Sequence, residues 1–260
     1  MIGYILIFIV GILLGALGSG GSIFLIPILI FLFHFTQEDA IAIAYIITAF
    51  SSFIGSIEYY PQVKWQKEHL YFIVPAITST WLSRHYLIPS IPPVVYGVPF
   101  EQILIITLGV LMIFAAGAML QKPRPNQFEH NEFPTIMVAI FYGLLVGLLG
   151  TGGGFLLVPT FIVLMHMPFN QAVGASLALI FLTSISGILA DKLILESLPS
   201  DFLIMSLCMA LLGLYVGQKM HNFVPENILK TTFIIIVLLT AAFLLFHELS
   251  AIKIIEHILF

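Results

Sequence analysis

Charged residues are almost absent from two long stretches of this chain. No Asp, Glu, Lys or Arg occurs in residues 1–37 or in residues 133–190. Across all 260 residues only 8% are charged, whereas 60% are hydrophobic and the mean hydropathy is +1.11. A soluble domain needs about 25% charged residues to keep its surface in water. The chain is therefore predicted to be an all-α polytopic membrane protein, which is the fold class that a lipid environment favours.

The remaining composition excludes several classes of function. The net charge is −4 and no run of Lys or Arg occurs, so nothing predicts nucleic-acid binding. Cys208 is the only cysteine, so one chain cannot form a disulfide or a cysteine-based metal site. No Walker A motif is present, so ATP is not predicted to drive this chain. We expect no metal, no cofactor and no enzymatic activity. The first segment lacks a basic leader and is predicted to be structural.

Apolar runs recur along the chain at about the 20-residue length that a membrane-crossing helix needs. Eight are predicted, and they cover residues 1–37, 40–57, 70–83, 102–120, the two parts of 133–190 on either side of 167–170, 202–216 and 231–246. The third run is expected to stop at Arg84, because the Pro-rich stretch 88–99 is too broken for an ordinary helix. The predicted organisation is a first transmembrane repeat over 1–120, a polar linker over 121–133, a second repeat over 134–248 and a tail over 249–260.

The two halves of the chain match in sequence. The first half carries Gly11, Gly15, Gly18-Ser19-Gly20-Gly21-Ser22 and Pro27, and the second carries Gly143, Gly147, Gly150-Thr151-Gly152-Gly153-Gly154 and Pro159 in the same spacing. The register continues without a gap into the next segment, where Gly55 meets Gly187. This pattern indicates two homologous four-segment repeats, related by a pseudo-two-fold axis, which is an arrangement typical of transporters.

The glycine-dense part of each motif is predicted to break its helix, because each Gly costs about 1 kcal/mol relative to Ala in a helix. The first N–H groups of the helix after each break would point into one shared hollow, where they suit an oxyanion. Gly18, Pro27, Gly150 and Pro159 are predicted to form the helix breaks or to have a structural role in these motifs. The predicted substrate-binding residues are Ser19, Gly20, Gly21, Ser22, Thr151, Gly152, Gly153 and Gly154. The preceding glycines, Gly11, Gly15, Gly143 and Gly147, are predicted to pack helices together.

The length of each broken segment leaves two topologies open. Residues 2–33 would span about 48 Å as one helix, against an apolar core of about 30 Å. Either the segment tilts steeply or it folds back as a re-entrant hairpin. Four full spans per half make the halves parallel, whereas a hairpin plus three spans makes them inverted. Under both topologies four basic residues share the side that the positive-inside bias predicts to be cytoplasmic. These residues are Lys64, Lys67, Lys122 and Arg124.

The doubled glycine motif, with the small-residue run Gly174-Ala175-Ser176 that opens a following helix, resembles the sulfite exporter TauE/SafE family. The resemblance covers nearly the whole chain and both repeats. It implies a multi-pass transporter of sulfite or an organosulfonate, working as an exporter in the cell membrane, with Ser176 in the substrate site. The first half departs from the family pattern. Residues 42–44 have lost the small polar run, and residues 78–85 lack the spaced glycines that the second half keeps in 213–217.

Several polar residues in apolar surroundings have two interpretations each. Ser52 and Ser184 lie at matching places near the middle of a helix, where they either contact substrate or bond back to the preceding turn. Arg84 is either an anion partner beside the substrate site or a side chain that snorkels to the interface. His34 and His166 follow the broken segments at nearly corresponding positions and are expected to be loop residues.

The predicted function is secondary transport of a small organosulfur oxyanion by alternating access around the two breaks. An anion channel with the same site, or uptake of a related carboxylate or sulfonate, remains open. A serine hydrolase using Ser19 or Ser22 would need a positioned base that the sequence does not offer. The expected partners are a small anionic solute, the lipid bilayer and a coupling ion, H⁺ or Na⁺. The sequence does not fix the oligomeric state, and a homodimer is one of the states left open.

Overall fold

The computed structural model of the chain describes residues 1–18, 22–63, 65, 67–92, 94–95, 98–120, 132–149, 154–190 and 199–259. Within these ranges the backbone is almost entirely helical. The α-helices are α1 (Ile2–Leu17), α2 (Ser22–Phe33), α3 (Gln37–Tyr59), α4 (Lys67–Leu82), α5 (Ile88–Ser90), α6 (Phe100–Leu120), α7 (Glu132–Leu149), α8 (Gly154–Leu164), α9 (Phe169–Ala190), α10 (Ser200–Phe223) and α11 (Glu226–Leu259). A 3₁₀ turn (Tyr60–Gln62) follows α3, and a two-stranded antiparallel hairpin, β1 (Val94–Val95) and β2 (Val98–Pro99), precedes α6.

Six helical segments within the described residues are long and apolar enough to cross a membrane. They are Glu38–Gln62, Gln102–Leu120, Glu132–Leu149, Phe169–Ala190, Ser200–Met220 and Glu226–Glu248. Three shorter apolar segments, Ile2–Leu17, Phe24–Phe33 and Gly154–Leu164, belong to α1, α2 and α8. The chain is therefore an all-α polytopic membrane protein, as its composition predicts.

Helices α1 and α2 run antiparallel to each other. Gly3, in the first turn of α1, lies so close to the last residue of α2 that a Cβ built on it would overlap the ring of Phe33. The ring of Tyr4 also lies 5.1 Å from the ring of Phe33, centroid to centroid. Both outer ends therefore lie at one face of the bundle, which we call the near face. This geometry is that of a hairpin and not of one steeply tilted helix through residues 2–33.

Four long-range helix pairs organise the rest of the bundle: α1 with α10, α4 with α7, α3 with α9, and α6 with α11. The α3–α9 pair is antiparallel, because Tyr59 lies beside Gly174 whereas Tyr45 lies beside Gly187. The α1–α10 and α4–α7 pairs are parallel, since successive glycines meet successive turns of the partner helix in the same order. Helix α1 thus packs on α10 as α7 packs on α4.

These directions place the second pair of short helices at the opposite face. Helix α3 starts at the near face and ends at the far face, where α4 and its parallel partner α7 begin. Phe161, near the end of α8, lies 5.4 Å from Phe72 in the second turn of α4, between ring centroids. Helix α8 therefore returns to the far face. The α1–α2 pair enters the bundle from the near face, whereas α7 begins and α8 ends at the far face.

Helix α4 does not stop at Arg84, which corrects the expectation from the sequence. Residues Ser83–Leu87 continue it as a π-helical turn, and α5 extends the helical path to Ser90. Pro89 explains the change of geometry, because it has no N–H for the carbonyl of His85 and would clash with it in a regular α-helix. The wider turn, with the N–H of Ile88 bonded to the carbonyl of Ser83, carries the chain past this position. Arg84 consequently lies within the bundle.

The sequence also predicts a polar linker between the halves and a separate C-terminal tail. Residues 121–131 lie outside the described part of the chain, and α7 begins at Glu132. The backbone of α11 continues as helix through residues 249–259, into the stretch expected to be a separate tail.

Candidate functional site

Glycines hold α1 and α10 in close contact along what we call the first seam. A Cβ built on Gly11 would overlap the carbonyl oxygen of Ala210, and one built on Gly213 would overlap the carbonyl oxygen of Phe8. Two more glycines, Gly15 and Gly217, meet the partner backbone in the same way. Small residues four apart allow this approach in membranes. The packing role predicted for Gly11 and Gly15 is confirmed.

Helix α1 ends inside the bundle at a glycine that no other residue could replace. Gly18 has φ 74°, in the left-handed region, and its N–H bonds to the carbonyl of Leu14 at 2.9 Å. A Cβ on Gly18 would lie 2.7 Å from Cγ1 of Val173, on α9. Both the backbone conformation and the packing therefore exclude a side chain here.

Hydroxyl groups from two other helices bond to the last carbonyls of α1. The Tyr59 hydroxyl donates to the carbonyl of Gly15 at 2.9 Å, and the Ser176 hydroxyl donates to that of Gly18 at 2.9 Å. Carbonyls at a helix C-terminus have no partner within the helix, so a buried end needs such donors. Residues 14–18, Tyr59 and Ser176 form what we call the first tip. Ser176, predicted to bind substrate, is fully buried and also bonds to the carbonyl of Val173.

The contact between α7 and α4, which we call the second seam, combines glycine with serine. A Cβ on Gly147 would lie 2.7 Å from the carbonyl oxygen of Thr80 and 2.7 Å from Cβ of Ser83. The Ser83 hydroxyl donates to the carbonyl of Leu144 at 3.0 Å, so it ties the two helices together. Gly143 meets Ala76 and Ser79 in the same way. The packing role predicted for Gly143 and Gly147 is confirmed.

Arg84 lies at the inner end of the second seam. Its side chain is only 9% exposed, and it is the sole buried Asp, Glu, Lys or Arg among the residues with described side chains. Its guanidinium carbon is 5.5 Å from the centroid of the Tyr45 ring, within cation–π range, and Nη1 is 3.5 Å from the carbonyl oxygen of Gly147. This burial contradicts the snorkelling interpretation. Arg84, Ser83 and residues 147–149 form what we call the second tip.

Helix α8 begins in the protein interior. Residues 154–159 are all buried, including Gly154 of the predicted site. The first N–H groups of a helix have no partner within it and carry the positive end of the helix dipole. The second tip thus combines the carbonyl end of α7 with a buried guanidinium, and α8 begins in the interior five residues after α7 ends.

Pro27 and Pro159, predicted as break or structural residues, lie within the short helices that follow the two glycine motifs. Pro27 lies inside α2 and Pro159 inside α8, each five residues after its helix begins. A proline inside a helix removes one backbone bond and bends the helix without necessarily ending it. Neighbouring helices make this tolerable in a membrane.

Buried hydroxyl groups lie in the middle of α3 and α9, and the two on α3 differ in their bonding. The Ser52 hydroxyl donates to the carbonyl of Thr48, one turn earlier, which favours the back-bonding interpretation for this residue. Ser184 is buried on α9. Ser51, next to Ser52, is buried and its hydroxyl has no hydrogen-bond partner within the described residues.

Much of the predicted site lies outside the described residues. This applies to Ser19, Gly20, Gly21, Gly150, Thr151, Gly152 and Gly153. Ser22 is the first residue of α2, and its side chain is not described.

His34 and His166 lie in the loops after α2 and α8, as expected, and both adopt the left-handed conformation, with φ 58° and 51°. In each case the N–H of the following residue donates a hydrogen bond to a carbonyl of the preceding helix: Phe35 to that of Leu29, and Met167 to that of Phe161. Partial desolvation lowers the pKa of the His166 imidazole from its ordinary value.

The described residues of the first and second tips lie at different depths, and the hollow predicted between the glycine motifs falls largely outside the described residues. The first tip meets α9 at Ser176, whereas Tyr45, beneath Arg84 of the second tip, meets α9 at Gly187. These two positions are about 16 Å apart along a helix with 1.5 Å rise per residue. Opposite entry of α1 and α7 explains the separation, because each of these helices extends past the middle of the bundle from its own face.

Sequence reasoning missed two residues that contact these tips. Tyr59 was not singled out because a tyrosine at a helix end is ordinary. Gln218, 4% exposed on α10, donates to the carbonyl of Gly55 at 3.2 Å. Its signal in the sequence is a lone amide directly after the apolar run 202–216.

A helical bundle with six helices long and apolar enough to cross a membrane, and with polar groups at buried helix ends, defines the class of a multi-pass membrane protein. Comparison with known families is consistent with that class. Residues 4–244 match the family model described as sulfite exporter TauE/SafE. The chain belongs to this family and is a multi-pass protein of the cell membrane.

Curated relatives carry transporter names. A probable membrane transporter protein of Xylella fastidiosa (strain Temecula1) is 30% identical over 180 residues, which is 65% of each chain and thus less than two thirds of that relative. The probable membrane transporter protein YdhB of Bacillus subtilis (strain 168) is 23% identical over 252 residues, covering 93% of this chain and 98% of the relative. No solved structure matches the chain. These relatives support membrane transport as the function.

Proposed function

We propose that this protein is a secondary transporter that moves a small organosulfur oxyanion, such as sulfite or an organosulfonate, out of the cell. The observation that carries the proposal is the second tip, where the guanidinium of Arg84 is buried over the Tyr45 ring and beside the carbonyl end of α7. Burying a cation in a membrane protein is costly and usually marks a functional site. A buried guanidinium favours an oxyanion as its ligand. The family description supports sulfite and export in particular.

The proposed mechanism is alternating access between two inverted repeats. The same offset of 132 residues relates Gly11 to Gly143 and Gly18 to Gly150, and it also relates the two left-handed histidines, His34 and His166. The reciprocal seams and the opposite entry of the hairpins support inversion. Movement of one hairpin against its seam would open the passage to one face at a time. Export would then be driven by coupling to H⁺ or Na⁺.

The test is flux in liposomes that contain the purified protein, with sulfite, sulfoacetate, taurine, sulfate and acetate as separate probes. We expect saturable flux of sulfite or an organosulfonate, with counterflow, because a carrier binds its substrate before each conformational change. Flux that does not saturate and shows no counterflow would indicate an anion channel instead. Transport of acetate alone would contradict the organosulfur substrate.

A matched pair of glycine variants tests the role of the glycine-dense motif. Gly153→Val is expected to abolish flux while the protein stays folded in the membrane. Gly117→Val is the control, because a Cβ on Gly117 meets nothing within 4 Å. Normal flux in the Gly153→Val protein would remove this motif from the site.

A further inference from the structure

Arg84 and Gln218 occupy equivalent places in the two seams. Ala76 of α4 packs on Gly143, and Ala210 of α10 packs on Gly11. Arg84 follows Ala76 by eight residues, and Gln218 follows Ala210 by eight residues. Each of the two side chains lies near the inner end of its seam and bonds to a backbone carbonyl of another helix. The two halves therefore present a cation in one place and a neutral amide in the other.

The surroundings of the two side chains also differ in polarity: those of Arg84 stabilise a positive charge, whereas those of Gln218 are neutral. The Arg84 guanidinium lies over the Tyr45 ring and beside the carbonyl of Gly147, at the carbonyl end of α7. Both groups stabilise a positive charge. The amide of Gln218 donates to the carbonyl of Gly55, and the neighbouring first tip is held by neutral hydroxyl groups. Among the described residues of the two tips, only those of the second tip surround a charged side chain.

We infer that the two tips are not equivalent half-sites: the transported anion is held at the second tip, with Arg84 as the residue that selects its negative charge, and the first tip is a neutral closure. This inference rests on the proposed transport of an oxyanion. A guanidinium carries five N–H donors in a planar fork, which matches the geometry of a sulfonate or sulfite group. The amide of glutamine lacks both the charge and the fork.

The experiment compares Arg84→Gln with a control that removes a different cation. Lys219→Gln is the matched control, because Lys219 Nζ also lies over a ring, 5.3 Å from the Tyr215 centroid, but on an exposed part of α10. Sulfite flux is measured in proteoliposomes, and the sulfite-induced shift in melting temperature is measured in detergent. We expect the KM of Arg84→Gln to rise about tenfold or more, as the loss of a charge-assisted hydrogen bond predicts. The Lys219→Gln protein should behave as wild type.

Arg84→Lys separates charge from shape and serves if Arg84→Gln does not fold. It keeps the positive charge but not the planar fork, so we expect an intermediate KM for sulfite and a smaller melting shift. A merely structural Arg84 would lower the melting temperature of the free protein without changing KM. A KM for sulfite within about twofold of wild type in both Arg84 variants would overturn the inference.

A charge swap tests the position of the cation. In the double variant Arg84→Gln with Gln218→Arg the net charge is kept, but the cation moves about 15 Å along α3, from Tyr45 to Gly55. We expect the raised KM to persist. Recovery of the wild-type KM would show that any buried cation suffices and would contradict the asymmetry. Absence of oxyanion flux in the wild-type protein would instead contradict the proposed function itself.

Discussion

The two seams achieve the same close approach of helices with different side chains. In the first seam both helices contribute glycines that contact the backbone of the partner helix, such as Gly11 on α1 and Gly213 on α10. In the second seam α7 keeps its glycines, but α4 offers Ser79 and Ser83 in their place. The serine hydroxyl of Ser83 then bonds across the seam to Leu144. The two seams therefore share their packing geometry, whereas the polar side chains are concentrated in the second seam.

This concentration continues beyond the serines. The second seam leads to Arg84 and a π-helical turn, whereas α10 continues as regular helix past Gln218 to Phe223. A π turn in a helix is frequent at functional sites. The first seam is thus the more apolar scaffold, and the second seam is the more polar and irregular one.

The largest expected effect comes from a side chain in the first seam. Gly213→Val should destabilise the fold by about 3 kcal/mol or more, because its side chain would have to displace the backbone at Phe8. Thermal melting in detergent, followed by size-exclusion chromatography, measures this effect. Gly117→Val, in open space on α6, is the control and should melt near the wild type. Equal melting of the two variants would mean that α1 and α10 are not in contact.

An exchange between the seams should be asymmetric. Gly217→Ser copies the second seam into the first and should cost about 1–3 kcal/mol, since a Cβ there overlaps the carbonyl of Ile12. Ser83→Gly copies the first seam into the second. It loses one interhelical hydrogen bond and adds a helical glycine, for about 1–2 kcal/mol in total. Thermal melting of both proteins in detergent measures the two effects. Stabilisation by Gly217→Ser would contradict the close contact of Gly217 with the backbone of α1, because it would show that the first seam can accommodate a side chain there.

The smallest expected effect concerns the first tip. Tyr59→Phe leaves the buried carbonyl of Gly15 without its hydroxyl donor and should cost about 1 kcal/mol. Tyr60→Phe is a matched control, because Tyr60 is the adjacent residue and is 66% exposed. Chemical denaturation in mixed micelles resolves the difference. Equal stability of the Tyr59→Phe and Tyr60→Phe proteins would argue that this bond does not hold the tip.

Glycine spacing and charge-free length are the features that can be interpreted from the sequence alone. Gly11 and Gly143 predict packing because small residues four apart have few other uses in a membrane. The excess length of residues 2–33 predicts a hairpin or a tilt by simple comparison with bilayer thickness. Both arguments need only local sequence.

The placement of Arg84 and the depth of the tips could not be predicted in this way. From composition alone the third helix is predicted to end at Arg84. That prediction is wrong because a π turn carries the helix past Pro89, and such a turn has no simple sequence signature. The separation of the two tips follows from the antiparallel pairing of α3 with α9, which is a long-range property. The same holds for Tyr59, which reaches the first tip only because α3 ends beside α1.

Inversion of the two halves is the central claim, and the side of the linker tests it most directly. In a Cys208→Ala background, single cysteines at Gln127→Cys in the linker and at Pro199→Cys before α10 are probed with a membrane-impermeant thiol reagent in intact cells and in inverted vesicles. Inverted hairpins predict that the two cysteines react from opposite sides, with the linker facing the cytoplasm. Reaction of both from the same side would mean eight full spans in two parallel halves, and would contradict the account.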